Sequence, residues 1–374
     1  MSKLSELRYR IVPVSIPTSS IPRRKPQRIA VLRALQLGDM LLSVPALRAL
    51  RQHFPGAEIT LIGLPWAASF VTRYAHYIDR FVEFAGYPGI DEVPIQAQRV
   101  ERFLTEQRAY RYDMGIQMHG SGRTSNSFAR FLNANTTVGY YDHQIVRNAK
   151  QAGLTHGLPY PDGIHEIERN LRLVALLGCT QCDTRLEFPL FEDDYAEADA
   201  LLRSISRERP VIALHAGSRV PARRWPTASF ATVGDALAQR FDAQILLTGS
   251  SGDERTVEDV ARQMRTPVLN LVGKTSLGTL AALLMRLDLF ISNDTGPSHV
   301  ACAVDCPSIT IFGPADFARW RPLDTSRQLT VRHPVACSPC GYRECPIDHR
   351  CLRWIEPQDV LAEAQQLLTG KIHI

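Results

Sequence analysis

The sequence predicts an α/β protein made of two doubly wound, parallel-sheet halves. Three observations lead there. The 374 residues exceed one ordinary core and suit two domains of about 150 to 180 residues. Short apolar runs alternate with helical windows, as in sheets whose parallel strands are joined by crossover helices. The same alternation restarts near residue 210.

Taken in chain order, residues 1–27 read as a basic, Pro-containing tail. Lys3, Arg8, Arg10, Arg23, Arg24 and Lys25 stand there against Glu6 alone, so the formal charge of +5 is concentrated at this end and the body is near neutral. A near-neutral body excludes a nucleic-acid binder of the basic-patch kind. The tail suits an anionic inner membrane leaflet, and equally a solvated leader. Residues 28–190 form the expected first domain. Arg28 to Arg33 is its first strand, the loop Gln36-Leu37-Gly38-Asp39 follows, and Leu41 to Phe54 is helical. Glu58 to Gly63 and Tyr112 to Gln117 are further strands.

Residues 191–209 read as a helix plus linker, and 210–356 as the second domain. Its strands are expected at Pro210 to His215, Ala243 to Leu247, Val268 to Val272, Asp288 to Ser292 and Ser308 to Phe312, with helical windows at Ser229 to Phe241 and Leu277 to Arg286. Residues 357–374 carry a last helix, opened by Pro357 where a missing N–H is harmless. Apolar residues make up 45% and charged residues 22%, a globular composition. No apolar run reaches the roughly 18 to 20 residues of a membrane span, and the N-terminus has no signal-peptide core, so a cytoplasmic chain is expected.

In open parallel sheets ligands bind beyond the carboxyl ends of the strands. The loop Ser292-Asn293-Asp294-Thr295-Gly296-Pro297-Ser298-His299 runs from a strand directly into a helix. Gly296 permits close approach, Pro297 suits a first turn, and the helix's leading N–H groups would hold a diphosphate, with His299 in reach. An ordinary cap by Asp294 or Thr295 is the alternative. Ser218 and Arg219 follow another strand, and Arg223-Arg224-Trp225-Pro226 could complete an anion clamp. Asp253, in Thr248 to Glu254, is a candidate acceptor for ribose hydroxyls or else a helix-start acid. In the first half, Asp39 beside Gly38 could take a proton from a hydroxyl, or simply cap the helix.

The stretch His119 to Asn126 nearly spells the glycine-rich dinucleotide fingerprint, with Asp142 about 20 residues on. Its third glycine is replaced by Ser125 and it sits in mid-domain, so a polar loop with Arg123 as anion contact suits it better. Cys337, Cys340, Cys345 and Cys351 crowd into one short stretch beside His349, a density that fits plain thiols, a structural zinc or redox chemistry. Cys179, Cys182, Cys302 and Cys306 lie beside apolar segments as small hydrophobes.

Over nearly all of residues 28–369 the chain resembles glycosyltransferase family 9, the ADP-heptose:lipopolysaccharide heptosyltransferases. The match is carried by Leu37-Gly38-Asp39 with Pro45-Ala46-Leu47, by Arg223-Arg224-Trp225-Pro226, and by Asp294 to His299 leading to Phe312-Gly313-Pro314. The resemblance implies a GT-B fold, two Rossmann-like domains facing across a cleft, with an inverting mechanism and no required metal. It implies Asp39 as catalytic base, and Ser218, Arg219, Arg223, Asp253, Asp294, Thr295, Gly296 and His299 at the donor. Arg223 stands where many members have a lysine. The implied partners are a nucleotide-sugar donor, such as ADP-heptose, and a glycolipid or glycan acceptor. A nucleotide-sugar 2-epimerase on the same scaffold and a non-catalytic nucleotide-sugar sensor are the alternatives, and a nicotinamide dehydrogenase ranks behind both.

Overall fold

A computed structural model describes residues 25–180 and 183–370. The basic tail up to Arg24, with its membrane expectation, and Cys182 lie outside the described residues. The chain divides into two compact units, one ending at Arg185 and the other beginning at Leu186.

The first unit contains strands β1 (Arg28–Leu32), β2 (Glu58–Gly63), β3 (Arg80–Glu83), β4 (Met114–Gln117), β5 (Thr136–Tyr141) and β6 (His156–Pro159). They form one sheet in the order β3-β2-β1-β4-β5-β6, with all neighbours parallel. The central strand β1 is apolar along its length, Ile-Ala-Val-Leu after Arg28, because it is covered on both faces.

The second unit contains β7 (Val211–His215), β8 (Gln244–Leu247), β9 (Val268–Asn270), β10 (Leu289–Asn293), β11 (Ser308–Phe312) and β12 (Gln328–Arg332). Its order is β12-β11-β10-β7-β8-β9, again fully parallel. Read from the other edge, this is the arrangement of the first sheet: the third, second and first strands, then the fourth, fifth and sixth. Both sheets therefore reverse direction of travel between their first and fourth strands. Such a reversal opens a crevice at the carboxyl edge, where doubly wound proteins take ligands. The crevices lie beyond β1/β4 and beyond β7/β10.

Several features fix the second unit. Trp225 is 1% exposed, stacks edge-on against Phe230 and donates its indole N–H to Ile355 O (3.0 Å). Gly234 in the helix Thr227–Phe241 lies so close to Leu214 and Met264 that a larger residue there would force those side chains to shift. The helix Glu192–Leu201, expected between the domains, packs on the helix Leu277–Leu284 within the second unit. The last helix runs Pro357–Thr369, opened by Asp359 accepting from Glu356 N–H (2.9 Å).

Candidate active site

At the crevice of the second unit, β10 ends at Asn293 and the helix Gly296–Ala303 starts after two residues. Thr295, the N-cap residue, makes no side-chain cap hydrogen bond to that helix, although threonine commonly does. The N-cap side chain therefore leaves the leading N–H groups and their positive dipole end unclaimed. Asp294 is buried and its carboxylate meets the Arg223 guanidinium at 3.3 Å. Arg223 remains partly exposed, with donor capacity left for an anion. His299 is buried in the first turn, beside the expected site.

Asn293 organises the rest and escaped the sequence reading as a site residue. Its amide donates to Ala216 O (2.8 Å) and its carbonyl accepts from Trp225 N–H (2.9 Å), so one fully buried side chain ties the end of β10 to the loop after β7. Ser218 is buried in that loop and its carbonyl accepts from Arg224 Nε (2.8 Å), while Arg219 is exposed. Arg224 thus holds the loop and Arg223 faces the helix tip.

The structure gives Asp253 a capping job. Its carboxylate accepts from Ser250 N–H (3.0 Å) and Ser250 Oγ (2.6 Å), and it is buried directly beneath Gly217. One oxygen expected for ribose is thereby engaged in the local turn. Close by, His215 at the end of β7 meets Thr248 Oγ1 at 3.1 Å, and burial pushes its pKa down to about 4 against the smaller upward pull of Asp253. It is a neutral imidazole in the floor of the site.

At the crevice of the first unit, Asp39 is half-buried in the first turn of the short helix Leu37–Leu41, whose N-cap is Gln36. It is therefore not the cap that its position after a strand allowed. Its backbone carbonyl accepts from Arg33 Nη2 (2.6 Å) and Nε (3.0 Å). Arg33 is 1% exposed and also donates to Met118 O (2.7 Å), Asn170 Oδ1 (3.2 Å) and Glu166 Oε1 (3.2 Å). Glu166 is shared with Arg169. This buried network rivets the turn that presents Asp39, and no local pattern announces it.

Around the same edge stand Trp66, after β2, and His119, after β4. Trp66 Nε1 and His119 Nδ1 are buried without a hydrogen-bond partner, and His119 Nε2 lies 3.6 Å from Glu92. Arg123, expected as an anion contact, pairs through Nε with Asp142 (2.5 Å), which holds that carboxyl below its usual range. Gly122, at φ +84°, has no room for a side chain because Tyr140 O lies against it. The glycines of the near-fingerprint thus serve a tight turn after β4, and Asp142 is taken by Arg123, so the dinucleotide reading loses its acidic partner.

Cys337 is exposed, Cys340 and Cys345 are half-buried and Cys351 is buried. With His349 they line a cavity of about 20 Å³. Burial raises the Cys351 thiol to about 11, assisted by the neighbouring thiols. Among the described residues, however, no group of three or more His, Cys, Asp or Glu is placed to hold a metal ion. The structural zinc weighed as one reading of these four cysteines has no ready ligand set here: Cys345 Sγ accepts from His349 N–H (3.3 Å), and His349 Nε2 is engaged with Ala222 O. Cys179 and Cys306 are buried as expected; Cys302 is half-buried as a residue, and burial pushes its thiol up to about 12.

The model of "Glycosyltransferase family 9 (heptosyltransferase)" matches residues 100–350. Lipopolysaccharide heptosyltransferase 3 of Escherichia coli (strain K12) is 27% identical over 88% of this chain and 95% of its own length. The crystal structure of the glycosyl transferase family 9 protein from Veillonella parvula DSM 2008 superposes with TM-score 0.75 at 24% identity, covering 92% of this chain and 98% of that one. That of E. coli ADP-heptose lps heptosyltransferase II superposes with TM-score 0.71 at 22% identity, covering 92% and 99%.

Proposed function

Since this chain belongs to glycosyltransferase family 9 (heptosyltransferase), we propose that it moves heptose from ADP-heptose onto a lipopolysaccharide core or another cell-surface glycan, with inversion at the anomeric carbon. Its relatives are lipopolysaccharide heptosyltransferases by name, and one carries ADP-heptose in its description. Membership in a transferase family sets the 2-epimerase and sensor readings aside.

One observation carries the donor assignment: an uncapped helix tip at Thr295–Gly296, at the strand-order reversal of the second sheet, with Arg223 and Asp294 beside it. The diphosphate is held by the tip's N–H groups and by Arg223. Ser218, Arg219 and His299 complete the donor side, and Asp253 supports the ribose end through the turn it caps. As the sugar–phosphate bond breaks, negative charge grows on the departing diphosphate, and these fixed donors stabilise it. Asp39 is the base that removes the proton of the acceptor hydroxyl, which attacks the anomeric carbon. Its carboxylate needs a fixed position for that work, and Arg33 supplies it through the backbone. Trp66 and His119, with unpartnered polar atoms at the same edge, suit a sugar acceptor. The charge is handled by N–H groups and guanidinium, so no metal is needed. Among the described residues no helix is long and apolar enough to cross a membrane. We place the reaction in the cytoplasm, with the basic residues of 1–27 meeting the inner leaflet where the lipid-linked acceptor resides.

The test is Asp39→Ala. Transfer from ADP-heptose should fall by about 10²- to 10⁴-fold, the range for a lost general base, while ADP still raises the melting temperature. Wild-type turnover in that variant would remove Asp39 from the mechanism. A wild-type protein indifferent to ADP would remove the donor assignment.

A further inference from the structure

The cysteine-rich stretch is tied by four hydrogen bonds to the two loops that flank the donor tip. Ala222 donates its N–H to Arg343 O (2.9 Å), and Ala222 O receives a bond from His349 Nε2 (2.6 Å). A carbonyl can only accept, so the imidazole proton resides on Nε2. Cys340 N–H donates to Pro314 O (2.8 Å), and Ser338 Oγ to Gly313 O (3.1 Å).

These attachments are placed with respect to the sheet. Pro221–Arg223 is a single turn in the loop after β7, and Gly313-Pro314 follows β11. In the sheet, β7 and β11 are the two neighbours of β10, whose end leads to Thr295–Gly296. The stretch therefore grips the loops on both sides of the donor tip. Its own base is firm: Leu352 is fully buried against Gly313, where an added Cβ would meet it at 2.6 Å, and His349 is anchored by its N–H to Cys345 Sγ (3.3 Å). Ala222 is 2% exposed, and both polar groups of its backbone are held by this one stretch. The next residue is Arg223.

We infer that residues 337–353 are a brace that positions the donor site, with His349 the positioning residue that sets where the Arg223 guanidinium meets a nucleoside diphosphate. The inference rests on the donor assignment above. His349 touches no substrate; it acts through the Ala222 carbonyl.

The experiment measures ADP affinity by calorimetry in the full chain for the wild type, His349→Ala, His349→Gln, Arg223→Ala and the double variant. His349→Ala should weaken ADP binding roughly tenfold, the scale of one lost hydrogen bond to a fixed carbonyl. His349→Gln, whose amide can donate to the same oxygen, should recover most of it. In the Arg223→Ala background the His349→Ala change should have no further effect, because the coupling runs through that one side chain. If His349→Ala does not fold, His349→Asn, too short to reach Ala222 O, replaces it. An equal loss with and without Arg223, or no rescue by Gln in a folded protein, would overturn the brace. Unchanged ADP affinity in His349→Ala beside a wild type that binds would do the same and leave the donor assignment standing. A wild type that ignores ADP would remove both.

Discussion

His215 lies at the end of β7 with its ring closed in by Thr248 and Phe290. Burial favours its neutral form, with a folded pKa of about 4 against an ordinary 6.5. As pH falls, the unfolded chain therefore takes up this proton first, so the native state loses stability across the window from 6.5 down to about 4 and keeps it fully above. At the acid end the loss approaches roughly 3 kcal/mol. The stability gap between the wild type and His215→Gln, followed by thermal melting, should narrow between pH 7 and pH 4.5; a gap independent of pH would contradict the buried neutral imidazole. Arg33 invites a second measurement. Arg33→Met leaves Glu166 buried with Arg169 alone and should cost about 3 kcal/mol of stability. Arg33→Lys keeps the charge but not the fork that holds Asp39 O, so turnover should drop about tenfold with donor affinity unchanged. Neither role was legible in the sequence. Arg33 finds Asn170 137 positions away, Asn293 reaches Ala216 across 77 and His349 reaches Ala222 across 127, and no local pattern records such pairings.

The elements were legible where their physics is local. Strands β1, β2, β4, β7, β8, β10 and β11 are mostly apolar runs with buried residues, and the runs announce themselves; the edge strand β9 is half-buried but keeps an apolar Val-Leu start. The edge strands β3, β6 and β12 did not announce themselves, since most of their residues are only half-buried and polar residues break the apolar run. β5, Thr-Thr-Val-Gly-Tyr-Tyr, is buried yet built from threonine, glycine and tyrosine, and hides for that reason. The loop from β10 to its helix was readable as an anion site because strand end, glycine, proline and helix are contiguous. The Ser250 to Asp253 turn carried two meanings at once, and the local cap takes one carboxylate oxygen. That turn has a testable consequence at Gly217. A Cβ there would fall 2.3 Å from the Asp253 carboxyl carbon, so Gly217→Ala must push apart the loop after β7 and the turn after β8. The expected result is a destabilisation of roughly 1 to 3 kcal/mol in chemical unfolding, together with weaker ADP binding. Normal stability in that variant would mean that the two turns are not held against each other.

At the scale of the molecule, each six-stranded sheet is completed by strands from its own unit. We propose that residues 25–185 and 186–370, produced as separate chains, each fold with a cooperative melting transition; a piece that showed none would refute the independence of its core. The two-part reading came from length and from the alternation that restarts near residue 210, whereas the parting at Arg185 depends on which side chains pack together, including Arg48 with Asp183 (2.5 Å). Self-sufficient sheets also have a consequence for how the protein is born. Every strand needed by the first sheet has been synthesised before a single residue of the second exists, so a ribosome can deliver a finished half while the remainder is still untranslated. A nascent chain made in that order never has to choose among twelve similar parallel strands at once, and pairing errors between the two look-alike sheets are avoided by timing.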